Sequence, residues 1–157
     1  MPARADEGQA DFDGIVCSGL GEGARFTALD WVGAAFARHL GFVAWPGTLN
    51  LRMGGAAWQR WRRDLARRRG MHIEPPPGFC AATCFEVTLE RRVRAAAVFP
   101  DVPDYPDDKL ELVAPVALRE ALALRDGARV HVHVHRPAGR SGRGDRAPRP
   151  PGCANAS

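Results

Sequence analysis

The sequence predicts a mainly β protein, a small closed barrel of about six short strands with helical insertions. Three observations carry that reading. Short segments alternate apolar and polar residues, as in Cys84-Phe85-Glu86-Val87-Thr88-Leu89. Turn signals such as Pro46-Gly47, Gly54-Gly55, Arg91-Arg92 and Asp126-Gly127 separate them. Helical periodicity is confined to two or three stretches, so a doubly wound parallel sheet does not fit.

In chain order, Gly14-Ile15-Val16-Cys17 is the first apolar run. Phe26 to Leu40 reads as a helix, because Phe26, Leu29, Val32, Phe36 and Leu40 recur at steps of three and four and Gly41 offers a stop. A short strand through Leu49 and Leu51 follows the Pro46-Gly47 turn. Ala56 to Arg69 is a second helix, with Trp58, Trp61 and Leu65 on a core-facing stripe and arginines over the rest. Pro75-Pro76-Pro77-Gly78 closes that region. The run Cys84 to Leu89 and its return from Val93 to Phe99 form a hairpin. Leu110 to Val113 is a further strand, Leu118 to Leu124 a short helix, and Ala128 to Arg136 the last strand. In that strand Val130, Val132 and Val134 point inward and His131, His133 and His135 share the outer face, where metal binding is the less favoured use.

At 157 residues the chain is one ordinary domain. The expected division is an unstructured start over residues 1–11, a folded unit over 12–136 and a disordered Gly/Pro/Arg tail over 137–157. No apolar run is long enough to span a membrane, and the acidic start is unlike a signal peptide, so a cytoplasmic protein is expected. Cys80 and Cys84 have a spacing found in zinc sites, but Cys17 and Cys153 do not complete one, and buried thiols are the expectation. The net charge is +4, yet the tail supplies +3 of it and a second basic cluster spans Arg60 to Arg69. Charge placed on one helix and a tail does not make a nucleic-acid groove.

Two stretches suggest a nucleotide site. Ser18-Gly19-Leu20-Gly21-Glu22-Gly23 packs three glycines into five residues directly after the apolar run Gly14 to Cys17, and successive N–H groups there can cradle phosphate. It matches neither the P-loop nor the dinucleotide fingerprint, and taken alone such a stretch is more often only a turn. In Pro46-Gly47-Thr48-Leu49-Asn50, an extended backbone puts Thr48 and Asn50 on one side, and two neutral oxygens there can help hold Mg²⁺.

These stretches belong to an ordered series: Gly14-x3-Ser18-Gly19-Leu20-Gly21-Glu22-Gly23, Leu40-Gly41-Phe42, Pro46-Gly47-Thr48-Leu49-Asn50, Tyr105-Pro106-x-Asp108-x-Leu110-Glu111-x2-Ala114-Pro115, and Leu118-Arg119-x2-Leu122-x-Leu124-x-Asp126-Gly127. The series closely resembles the CTP-dependent riboflavin kinases best known from archaea, from about Phe12 to His135. The arginine-rich composition suggests a bacterial relative. The resemblance implies a six-stranded cradle-loop (RIFT-like) barrel and transfer of the γ-phosphate of CTP to the 5′-hydroxyl of riboflavin, giving FMN and CDP. It implies that Gly19, Leu20, Gly21, Glu22, Gly23 and Ala24 lie along the nucleotide phosphates. Val116, Ala117, Leu118 and Arg119 line the cytidine nucleotide, Thr48 and Asn50 coordinate Mg²⁺, and Glu111 contacts the flavin. A flavin-contacting threonine of the family is Pro103 here, which has neither hydroxyl nor N–H. Glu22 and Glu111 are candidates for a general base. A monomer is expected. The alternatives are a non-catalytic flavin- or cytidine-nucleotide-binding module and, less favoured, a nucleic-acid-binding barrel.

Overall fold

The computed structural model describes residues 9–18 and 30–136. The glycine-rich stretch from Gly19, the first residues of the expected first helix and the basic tail lie outside the described residues. Strands β1 (Ala10–Cys17), β2 (Leu49–Met53), β4 (Ala82–Leu89), β5 (Val93–Pro100), β6 (Lys109–Val113) and β7 (Arg129–Val134) pair antiparallel in the order β4-β5-β6-β2-β1-β7. Pairing of Val87–Leu89 with Val132–Val134 closes the ring, and the expected six-stranded barrel results. A seventh strand, β3 (Met71–Ile73), pairs with the first half of β4, on the edge that β7 occupies further along. Three residues carry too little alternation to announce a strand, so β3 was not foreseen in the pattern.

Strand alternation sorts the core in two. Inward-facing Val16, Leu49, Leu51, Val87, Ala97, Leu112 and Val132 fill the barrel. Helix α2 (Ala56–Arg63) adds Trp58 and Trp61 to that filling, and Phe12 meets both rings edge-on. The two tryptophans are core residues, as their helical spacing predicted. The helix is shorter than the expected Ala56 to Arg69: it stops at Arg63, and Leu65–Arg67 make a 3-10 turn. That turn brings the Arg68 guanidinium over the Trp61 ring, 4.9 Å from its centroid, and its Nε donates to the Trp61 carbonyl. Cation–π packing therefore replaces the last helical turn.

Outside the barrel, helix α1 (Asp30–Leu40) lays Val32, Ala35, Phe36 and Leu40 over Cys84, Ala96, Val98 and Val113. Gly41, with φ of 73°, ends this helix as expected, and its N–H donates back to the Phe36 and Ala37 carbonyls. The chain then returns along the barrel through Phe42, which stacks on Phe36. Helix α3 (Leu118–Ala121) is a single turn, shorter than the expected Leu118 to Leu124, because Ala123 takes a left-handed φ of 50°. No helix among the described residues is long and apolar enough to cross a membrane.

Candidate active site

The barrel's outer surface carries a row of residues in register across six strands. Cys17 on β1 pairs with Asn50 on β2, Asn50 with Glu111 on β6, Glu111 with Val98 on β5, Val98 with Cys84 on β4, and Cys84 with Met71 on β3. The apolar end of the row lies beneath α1. Asn50 and Glu111 form its polar part. Directly opposed residues in an antiparallel pair have Cα atoms about 4.5–5.5 Å apart, so the two side chains share one small patch.

Asn50 is the buried polar residue of the described core, and its Oδ1 has no hydrogen-bond partner. A buried acceptor without a donor costs about 1–3 kcal/mol. Such an oxygen is suited to a cation or to water, and the donor set agrees with a hard ion. Thr48 immediately precedes β2, two residues before Asn50, and is half-buried. The Pro46-Gly47 turn sets that register, and Gly47 holds a φ of 111° that other residues rarely adopt.

Glu111 receives the Lys109 ammonium at 2.9 Å, with both side chains largely covered. Lys109 also sits 5.6 Å from the centre of the Tyr105 ring. The Tyr105 hydroxyl is buried beside the Glu111 carboxylate without a well-formed hydrogen bond to it. Burial first, and the Glu111 charge second, push this phenol well above its usual range. Pro103 is exposed in the turn that precedes Tyr105.

A cleft of about 170 Å³ opens over Leu49 and Leu112, the strand neighbours of Asn50 and Glu111, which do not themselves line it. Trp45 to Thr48 form one wall and Val116 to Arg119 the other, with Leu49, Leu112 and Ala114 beneath. The Trp45 N–H donates to the Ala114 carbonyl at 2.7 Å, which holds the two walls side by side. Of the residues foreseen for nucleotide and metal, Thr48, Val116, Ala117, Leu118 and Arg119 therefore meet in one place. Gly19 to Ala24, including Glu22, lie outside the described residues.

Asp126 was read only as half of a turn, yet it joins the parts of this site. Its carboxylate accepts from the Ser18 hydroxyl at 2.5 Å and from the Arg119 guanidinium at 2.7 Å. Ser18 is the residue immediately before the glycine stretch. These two hydrogen bonds hold the Asp126 carboxyl below its ordinary range. A partnership across 108 residues leaves no local signal in a sequence.

Elsewhere, an Asp11 carboxylate oxygen lies 3.1 Å from His131 Nε2 and 2.9 Å from His133 Nδ1, while His135 meets the Thr88 hydroxyl. Val130, Val132 and Val134 face inward, as the alternation predicted. Among the described residues no group of three or more histidines, cysteines or acidic residues is placed to hold a metal ion.

Residues 16–134 match the family model CTP-dep_RFKase, described as "Domain of unknown function DUF120". The chain belongs to the CTP-dependent riboflavin kinase family. Its curated relatives include a riboflavin kinase of Aeropyrum pernix, 39% identical over 127 residues, which takes in 78% of this chain and 94% of that one. A riboflavin kinase of Methanococcoides burtonii is 36% identical over 137 residues, taking in 82% of this chain and 59% of that one. For a riboflavin kinase of Pyrobaculum calidifontis the identity is 38% over 129 residues, with 78% and 58%. The chain thus spans nearly the whole of the first relative and under two thirds of the other two. The family match covers the barrel strands from within β1 to the end of β7, and the cleft with them.

Proposed function

We propose that the folded unit over residues 12–136 phosphorylates riboflavin at its 5′-hydroxyl, taking the γ-phosphate of CTP and releasing FMN and CDP. The observation that carries this reading is the direct cross-strand pairing of Asn50 with Glu111, whose strand neighbours Leu49 and Leu112 line the cleft. It sets the orphaned oxygen suited to a cation next to the carboxylate assigned to the acceptor. Phosphoryl transfer needs that adjacency, because catalysis rests on positioning and charge neutralisation.

In this reading the base and ribose of the nucleotide occupy the cleft between Trp45–Thr48 and Val116–Arg119. The phosphates extend toward the Gly19–Ala24 stretch. Thr48 and Asn50 would hold Mg²⁺, which when bound supplies positive charge to the transferring phosphates. Asp126 ties Arg119 of the cleft wall to Ser18, the residue before the glycine stretch. Glu111, fixed by Lys109, orients the ribityl chain so that the 5′-oxygen attacks the γ-phosphorus in line. The new P–O bond forms as the bond to the β-phosphate oxygen breaks, and the hydroxyl proton leaves to solvent or to a nearby carboxylate. Support comes from the family, from the Asn50 oxygen and from the convergence of both cleft walls.

The test is FMN formation followed by chromatography, with riboflavin, Mg²⁺, and CTP or ATP offered separately. FMN with CTP and little with ATP is expected. Folded protein that binds riboflavin or CDP but yields no FMN with either donor would overturn the kinase and leave a binding module, the reading to which the loss of a hydroxyl at Pro103 points.

A further inference from the structure

Between β5 and β6 the chain makes two turns in succession, and Tyr105 stands between them. In the first, the Tyr105 N–H donates back to the Val102 carbonyl at 3.4 Å. Pro103 takes the second position of that turn, where its ring pre-sets φ, and Asp104 the third, with a left-handed φ of 63°. In the second, the Lys109 N–H donates to the Pro106 carbonyl at 3.4 Å, and Pro106 keeps the residue before it extended. The Trp58 indole N–H anchors the same loop by donating to the Asp107 carbonyl at 2.8 Å. Tyr105 is therefore delivered by a segment with little backbone freedom.

Its side chain lies back on the start of β6. The Lys109 ammonium covers the ring, and the hydroxyl is buried beside Glu111 with no hydrogen-bond partner among the described residues. Glu111 gives one oxygen to Lys109, yet a carboxylate has room for about four hydrogen bonds. A donor without an acceptor thus lies against an acceptor with capacity to spare. Burial first and the Glu111 charge second keep the phenol protonated through the neutral range, against the smaller pull of the Arg62 charge from α2. Hydrogen bonds at reacting centres are often long in the free enzyme and tighten only with substrate in place.

We infer that Tyr105 is a positioning residue for the phosphoryl acceptor: its hydroxyl closes onto Glu111 when riboflavin binds and locks the carboxylate that Lys109 also holds. This rests on the assignment of Glu111 to riboflavin made above. Tyr105 acts through Glu111 and does not touch the substrate. Held by two neighbours, the carboxylate meets the ribityl hydroxyls with fewer orientations to lose, and the 5′-oxygen is better aligned for attack.

The experiment compares wild-type protein with Tyr105→Phe, which keeps the ring beneath Lys109 and removes only the hydroxyl. Thermal unfolding and calorimetric titration with riboflavin and CDP are followed by the kinetics of FMN formation. Without ligand, Tyr105→Phe should melt at or above the wild-type temperature, because no hydrogen bond is lost. Its riboflavin affinity should fall about tenfold, the scale of a hydrogen bond to a charged group, with CDP affinity unchanged. In turnover the loss should appear in kcat and in the KM for riboflavin, not in the KM for CTP. The same substitution in a Glu111→Ala background, read as kcat/KM for riboflavin, should change it by no more than about twofold, since the group it acts through is gone. Tyr105→Phe that binds and turns over riboflavin as wild type does would overturn the positioning role and leave the kinase assignment standing. A tenfold loss that persists in the Glu111→Ala background would overturn it too, placing the hydroxyl on riboflavin itself. Wild-type protein that binds neither riboflavin nor CDP would remove both readings.

Discussion

Asn50→Ala separates what a residue does for stability from what it does for activity. In the ligand-free protein the Asn50 Oδ1 is buried and unpartnered, a situation that costs about 1–3 kcal/mol. Truncation removes that penalty. It also removes the dispersion contacts of three heavy atoms, on the order of 1 kcal/mol at 0.1–0.2 per atom pair. The net change is between about zero and 2 kcal/mol in favour of the variant, a melting temperature unchanged or raised by roughly 2–8 °C. Turnover should fall by at least about a hundredfold, as when one electrostatic contact to the transition state is lost. The assay pairs thermal unfolding, with and without Mg²⁺ and CTP, with the chromatographic FMN assay. Wild-type protein should gain stability from Mg²⁺ and CTP together, and the variant much less. A ligand-free variant that melts several degrees lower would show that the oxygen is satisfied in the folded protein. Retained Mg²⁺-dependent turnover would remove Asn50 from the metal site.

Three further perturbations test other parts of the structure. Gly14→Ala puts a methyl group 3.0 Å from the Leu51 Cβ and 2.6 Å from the Met53 sulfur inside the barrel; overpacking of this kind costs about 1–3 kcal/mol, read by denaturant titration. Asp126→Asn should raise the KM for CTP more than that for riboflavin, because Ser18 and Arg119 lose their common anchor. The Asp126 carboxyl is held below its ordinary value of 3.8, so its contribution is present above that value and lost as the pH falls through the lower folded one. The difference in melting temperature between wild type and Asp126→Asn should therefore shrink in acid. Glu111→Gln should raise the KM for riboflavin with little change for CTP. The same substitution should lower the Tyr105 pKa toward its usual range, since the Glu111 charge helps to raise it. Tyr105 is the chain's single tyrosine, so tyrosinate absorbance in alkaline titration reports it alone.

Much of the architecture was legible along the chain. Alternation located β4 and β7, since a strand with one buried face must repeat every second residue, and turn signals and apolar runs marked the others. The Trp58/Trp61 stripe and the Gly41 stop were equally local. Helix ends were less so: the expected helix to Arg69 gave way at Arg63 to a 3-10 turn that sets Arg68 over the Trp61 ring, a contact no helical period announces. The place of Asn50 on β2 was readable for the same reason as the strands.

What the sequence by itself determined, then, is whatever depends on neighbours a few residues away: strand and helix periods and turns. Only the tertiary structure decided which segments meet. Strand register set Asn50 against Glu111 across 61 positions of numbering, closed β4 onto β7, and placed Trp45–Thr48 against Val116–Arg119. It also gave Asp126 its two partners. Such contacts depend on how six strands close into a ring, a global condition that no single stretch of residues encodes, and the site exists where that closure brings them together.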